Sequence, residues 1–152
     1  MDKQLLAPDI ISGQEGTAIA NIDGRVRELF EVKNLAATIT KKKSAVRTLG
    51  KRGDQHKSSG WSGSGSMTYF NVTSEWVGLI TRYIKTGVDV YFDMIIINED
   101  PSSNAGRQEV TLYRCNINNL DVAKLDVDAD YLDVSCNFTF EDCDLQQSFL
   151  EL

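Results

Sequence analysis

Residues 41–59 read KKKSAVRTLGKRGDQHKSS, and the rest of the chain is organised around them. Seven are basic (Lys41, Lys42, Lys43, Arg47, Lys51, Arg52 and Lys57) against one acid, Asp54. The stretch carries +6 in a chain whose total is −6, so the other 133 residues are strongly acidic. An asymmetry of this size points to a partner with an acidic surface, and another copy of this chain is the nearest candidate. A connection this long without structure of its own is uncommon and usually functional or disordered. Ala45, Val46 and Leu49 are its few apolar side chains. They offset little of the roughly 1–2 kcal/mol per residue that ordering a backbone costs. The stretch is therefore expected to be a mobile loop that orders when something binds it.

On either side the sequence reads as strand. Gly60 to Phe70 alternates Ser62, Ser64, Ser66 and Thr68 with Trp61, Gly63, Gly65, Met67 and Tyr69, a period of two. Its interior glycines mark a bend or the close approach of another backbone. Arg25 to Thr40 reads as one long extended segment with both faces mixed, as for a strand seen by two environments. The two segments can pair, which makes 41–59 the tip of a long hairpin.

Further out, residues 1–14 read as an arm with Leu5, Leu6, Ile10 and Ile11 available for docking. Thr17 to Ile22 is a short strand, and Asp23-Gly24 after it is a strong hairpin signal because type I′ turns need positive φ. Thr73 to Lys85 is the one convincing helix. Trp76, Leu79, Ile80, Tyr83 and Ile84 recur at helical spacing, Thr73 or Ser74 is the cap, and Gly87 is the stop. That stripe reads as core packing. Val88 to Asn98 and Gln108 to Ile117 are strands joined by a loop around Pro101 and Gly106, and 118–130 is an acidic connection. Tyr131 to Cys143 alternates most cleanly: Leu132, Val134, Cys136, Phe138 and Phe140 face the core, and polar residues face away.

The 152 residues are expected to form a single domain with a real core. The longest apolar runs, such as Met94 to Ile97, are too short to cross a membrane as a helix. The first residues lack the pattern of a signal peptide. Three cysteines without metal-site spacing read as reduced thiols of a cytosolic protein, buried or inert. The Asn71-Val72-Thr73 and Asn137-Phe138-Thr139 triplets are then incidental.

No residue set supports an enzyme, a cofactor or a metal. His56, the one histidine, lies in the basic stretch with no placed carboxylate or nucleophile. Asp126-Val127-Asp128-Ala129-Asp130 begins like a calcium loop but has Tyr131 and Asn137 where Gly and Glu are needed. Gly60 and Gly65 have phosphate-loop spacing, but Ser66 stands in the lysine position and a strand follows.

Three pieces taken together carry a resemblance over most of the chain. They are Ile11-Ser12-Gly13 with Gly16 and Asp23-Gly24-Arg25-Val26; Gly60 to Thr68 leading into the helix; and Phe138-Thr139-Phe140-Glu141-Asp142. In their order and spacing the chain resembles the tail-tube proteins of contractile phages and phage-tail-like particles, of the kind found in defective prophages of Gram-positive bacteria. The resemblance implies a mainly β fold: an antiparallel β-sandwich or partial barrel with one flanking α-helix. It implies hexameric rings that stack into a hollow tube, with inner strands of six subunits closing one large barrel and so removing sheet edges. The implied partners are other copies of the chain, a tail sheath protein, a tape-measure protein, the baseplate and the tail terminator. DNA or an effector passes through the lumen without specific binding, and no membrane is involved. The implied location is the tail of a virion or phage-like particle, with the bacterial cytoplasm before assembly.

An acidic lumen that repels phosphates suits such a conduit. The polar faces of strands 25–40, 59–70 and 131–142 are the expected lining. The seven basic residues become a stacking element that meets Asp121, Asp126, Asp128, Asp130 or Asp133 of the next ring. Other readings are a monomeric ligand-binding β-barrel with Trp61, Tyr69 and Tyr113 around its pocket, a nucleic-acid-binding module using the basic loop, and the tube of a secretion system.

Overall fold

Backbone pairing divides the strands into two sheets that share one member. The computed structural model describes residues 4–151, so residues 1–3 of the expected arm and residue 152 of the tail lie outside the described residues. The strands are β1 (Gly16–Ile22), β2 (Arg25–Glu28), β3 (Val32–Val46), β4 (Gln55–Phe70), β5 (Phe92–Glu99), β6 (Arg107–Leu120), β7 (Asp133–Phe140) and β8 (Asp142–Gln147). The helix α1 (Glu75–Thr86) lies between β4 and β5. All pairings are antiparallel. One sheet runs β2-β1-β5-β6-β8 and the other β6-β7-β4-β3. The fold is the expected mainly β architecture with one flanking helix.

β6 makes the corner between the sheets. Its first part pairs with β5 and β8, and from Asn116 onward it pairs with β7. Arg114 takes the left-handed conformation, with φ of 53°. Opposite it, Glu141 separates β7 from β8, so both partners turn at the same level. The Glu141 N–H donates to the Tyr113 carbonyl at 3.0 Å, and Arg114 Nε donates to Glu141 Oε2 at 2.8 Å. A strand that changes sheet in this way builds the corner of a sandwich. The single strand expected over 131–143 breaks at Glu141: β7 runs from Asp133 to Phe140, and Asp142–Gln147 is a separate strand, β8, held by its pairing with β6.

The core lies between the sheets. Met67, Tyr69, Val134, Cys136, Phe138 and Phe140 from one side meet Ala20, Ile22, Phe92, Met94 and Leu112 from the other. Trp76 of α1 is fully buried, with ring centroids 6.5 Å from Tyr69 and 5.4 Å from Phe92. The inward set predicted for the strand at 131–143 is buried from Val134 to Phe140. The helix ends on Gly87, with φ of 72° and its N–H donating to the Tyr83 carbonyl. Its apolar stripe reaches the core only through the first turns, for Tyr83 and Ile84 are exposed.

Residues 118–120 of the expected acidic connection belong to β6, and three further expectations need correction. Arg25 to Thr40 is not one strand. The Leu29 N–H donates to the Ala18 carbonyl at 2.7 Å, and the Phe70 N–H donates to the Glu31 carbonyl at 2.9 Å. The 29–31 link thus crosses from the first sheet to the second, which is why neither face of the segment looked uniform. Val88 to Tyr91 is not strand, and β5 starts at Phe92.

Thirdly, 41–59 is not a structureless loop. The β3–β4 ladder, registered in the body from Val32↔Tyr69 onward, continues through Lys41↔Trp61 to Val46↔Gln55. Only residues 47–54 form the connection. The backbone ladder supplies what the scarce apolar side chains do not. β7 pairs with β4 no further than Gly63, so residues 40–62 overhang as a two-stranded ribbon. Eight residues at about 3.3 Å each give it a length of roughly 26 Å.

The glycines of β4 leave room for rings and, at Gly65, for the close approach of the neighbouring backbone as well. A Cβ on Gly63 would lie 2.5 Å from the Phe140 ring, and one on Gly65 2.4 Å from the Phe138 ring and 2.8 Å from the Ala36 carbonyl. The two phenylalanines lie across the glycines opposite them in the ladder. Gly65→Ala is therefore expected to destabilise the fold by about 1–3 kcal/mol. Gly13→Ala, which meets nothing within 4 Å, serves as the control. Urea titration of both variants checks this; an unchanged midpoint for Gly65→Ala contradicts the packing.

Candidate assembly surfaces

The ribbon carries all seven basic residues singled out in the sequence, and every one is exposed. Residues directly opposite in an antiparallel pair share a face. Lys41 opposite Trp61 and Lys43 opposite Ser58 lie on one face; Lys42 opposite Gly60 and Lys57 opposite Ser44 lie on the other. Arg47, Lys51 and Arg52 sit in the connection. The ribbon is thus cationic on both faces and at its tip. Its one acid, Asp54, lies 3.5 Å from Arg47. A bulge between Lys42 and Lys43 bends the ribbon near its base, where Gly60 has φ of 152°.

The acidic connection lies at the opposite end of the same sheet. Phe70, the last residue of β4, pairs with Asp133, directly after that connection, whereas the ribbon tip precedes Gln55. The sixteen residues of β4 separate the two ends by about 50 Å. Asp121, Asp126, Asp128 and Asp130 are exposed. Asp133 differs from them. It faces Lys33 at 3.5 Å and Lys124 at 3.4 Å, so its charge is already met within the chain.

Between these poles lies an uncharged face. Ser64 stands between Thr38 and Thr139, Ser66 between Ala36 and Asn137, and Thr68 between Asn34 and Ser135. Thr40 and Ser62 extend the rows. These residues point away from the core, because Gly63, Gly65, Met67 and Tyr69 point into it. Hydroxyls and amides interlink: Thr68 Oγ1 lies 3.1 Å from Ser135 Oγ, and Asn137 Nδ2 donates to Asn119 Oδ1 at 3.2 Å. The acidic lining expected on the polar faces of 59–70 and 131–142 does not fit this face; Asp133 and Glu141, at its margins, are paired to Lys33, Lys124 and Arg114. The alternation of Ser and Thr was legible in the sequence, but which strands lie side by side was not.

Among the described residues, two strand borders of the second sheet are open. β3 has β4 on one side only, and residues 116–120 of β6 have β7 on one side only. The arm is tied by its backbone to the loop between β5 and β6. The Ser12 N–H donates to Asp100 Oδ2 at 2.9 Å and the Asn104 N–H to the Pro8 carbonyl at 2.8 Å, while Leu5, Leu6 and Ile10 stay exposed. Hydrogen bonds from the Ser102 hydroxyl and from the Ser12 and Ser102 N–H groups hold the Asp100 carboxyl below its usual range.

The three aromatics of a ligand pocket do not converge. Tyr69 is buried in the core, Tyr113 lies at the corner, and Trp61 alone lines the groove of about 500 Å³ beneath the ribbon. Among the described residues no group of three His, Cys, Asp or Glu is placed to hold a metal ion.

Comparison with known proteins matches the model of the phage tail tube protein family to residues 3–147. The chain belongs to the phage tail tube family. It is 39% identical over 143 residues to the phage-like element PBSX protein XkdM of Bacillus subtilis strain 168, across 94% of this chain and 95% of that protein. Among solved structures it is similar in fold to a chain of the sheath–tube complex of the PVC extracellular contractile injection system, with TM-score 0.68 and 11% identity over 92% and 93% of the two chains. It is likewise similar to a chain of the SPP1 tail tube, with TM-score 0.64 and 13% identity over 93% and 81%.

The cysteines of this tail-tube chain are unpaired: Cys115 and Cys136 are buried, and Cys143 is half-buried. Burial pushes the Cys115 thiol up to about 12, helped by Asp93, and the Cys136 thiol also to about 12. At pH 8 in native buffer only Cys143 is expected to react with an aromatic disulfide reagent within minutes. All three react after denaturation. Rapid native labelling of two or three thiols contradicts this packing.

Proposed function

We propose that this chain is the wall unit of a tail tube built from stacked six-membered rings, with a sheath outside and tape-measure protein, then DNA or effector, within. Baseplate and terminator close its ends. The observation that carries this reading is the pair of open borders on a four-stranded sheet. With an even number of antiparallel strands, rotation brings β3 of one copy antiparallel to residues 116–120 of the next. Each copy adds four strands, and the border of each is covered by its neighbour. Barrels of about 16–18 strands already leave an aqueous channel, and six copies exceed that.

Along the axis, the basic ribbon of one ring reaches toward the acidic connection of the next. The surfaces that meet differ, so the contact is head-to-tail and propagates a filament. Asp121, Asp126, Asp128 and Asp130 are the acids available to Lys41, Lys42, Lys43, Arg47, Lys51, Arg52 and Lys57. Each exposed ion pair contributes about 0–1 kcal/mol. Six ribbons acting together supply the register through multivalency. A free two-stranded ribbon is marginal in water, so its tip becomes fully ordered on docking.

Reversal of Lys41, Lys42 and Lys43 to Glu is expected to abolish long tubes at low salt, leaving rings or short stacks in negative-stain images. Changing Asp126, Asp128 and Asp130 to Lys in the same chain is expected to restore tube length. Wild-type tube length in the Lys→Glu variant at low salt rules out the stacking role of those residues.

A further inference from the structure

The uncharged face sets the terms on which cargo meets the wall. From Asn34 to Thr40 and from Ser62 to Thr68 it offers hydroxyls, an amide and small methyl groups, with Ala36 its one wholly apolar side chain. The chain has 38 charged residues in 152, so an outward sheet face this wide without one is not what its composition leads one to expect. At one end of it Lys33 and Lys124 meet Asp133, and at the corner Arg114 meets Glu141; at the other end, beyond Thr40 and Ser62, the face passes into the ribbon, where Lys42 is exposed. The face is also dented, with a depression of about 400 Å³ where Thr38, Ser64, Ser66 and Asn137 come together.

A narrow passage lined with one sign of charge focuses its field, raising counter-ion concentration by roughly 10–10³-fold and excluding co-ions. A hydroxyl–amide wall has no such field. Its groups bind water and exchange neutral hydrogen bonds with donors and acceptors alike. We infer that this face is a charge-free passage wall, which admits a hydrated polymer, nucleic acid or polypeptide, without selecting on the sign of its charge. The inference rests on the reading of this face as the tube lumen. It replaces repulsion by acids with the absence of any electrostatic hold as the reason cargo slides.

The test places a thiol on the wall. Ser64→Cys is made in a Cys143→Ser background and assembled into tubes. Its rates of modification by a cationic and an anionic methanethiosulfonate of similar size are measured, and their ratio is divided by that for unassembled subunits. The expected quotient lies within about twofold of one, whereas a charged lumen shifts it by about tenfold or more in either direction. A shift of that size overturns the inference. Adding Asn137→Asp to the same chain is expected to raise the quotient in favour of the cation, which shows that the assay senses a ring of charge. A maleimide on a long polyethylene glycol separates the two levels of failure. It is expected to label subunits and spare tubes. Equal labelling of both places the face outside the lumen and overturns the tube-wall reading itself. If Ser64→Cys does not assemble, Thr139→Cys, in the facing row, takes its place.

Discussion

Backbone hydrogen bonds left over at the borders of one sheet dominate this molecule. A paired strand satisfies its donors and acceptors on both sides; an edge strand satisfies one. β2 is four residues long, and β8 carries Asp142 and Asp144, so the first sheet has blunted edges. The second sheet has not been shortened. β3 runs for fifteen residues with one side open, and its outer part carries Lys41, Lys42 and Lys43. Lysine on an edge discourages indiscriminate pairing. The charges that keep the overhang from pairing with any strand at random are the same ones available for a partner with acids in the right place.

The corner at Arg114 and Glu141 makes this border useful. By sending β6 into both sheets, it frees residues 116–120 on the side that β5 occupies lower down. The border opposite β3 exists because β5 begins only at Phe92, opposite Cys115, while β6 continues to Leu120. One left-handed residue, locked by an ion pair and a backbone hydrogen bond, thus yields a four-stranded sheet with two compatible edges.

Local patterns in the sequence were readable where one environment covered each face. β7 alternates because its inner side meets only core, and α1 shows its period because Trp76 and Leu79 meet the same sheet. Patterns failed where the chain changed partners. Leu29 to Glu31 passes between sheets, β8 is a strand only because β6 lies beside it, and the ribbon is ordered by a ladder begun at Val32 and Tyr69, inside the body of the sheet. The glycines of β4 were seen as special, yet the rings that need their space belong to Phe138 and Phe140, more than seventy positions later. The basic residues were legible as a cluster. Their distribution over both ribbon faces follows from the register, which composition does not encode.

The net charge of −6 conceals a segregation into a cationic ribbon, an acidic far end and a neutral face between them. On the tube reading these regions govern different directions of assembly, and their physics differs. Lateral closure through β3 and β6 uses backbone hydrogen bonds, each contributing about 0.5–1.5 kcal/mol with little dependence on salt. Axial stacking uses exposed ion pairs, which are weaker singly and are screened beyond about 8 Å at physiological ionic strength. Ionic strength therefore acts on how rings stack much more than on whether rings close. A wall whose passage face takes no part in either contact leaves both unchanged by whatever moves through it. Separating the three roles in space allows one short sheet to serve closure, stacking and passage together.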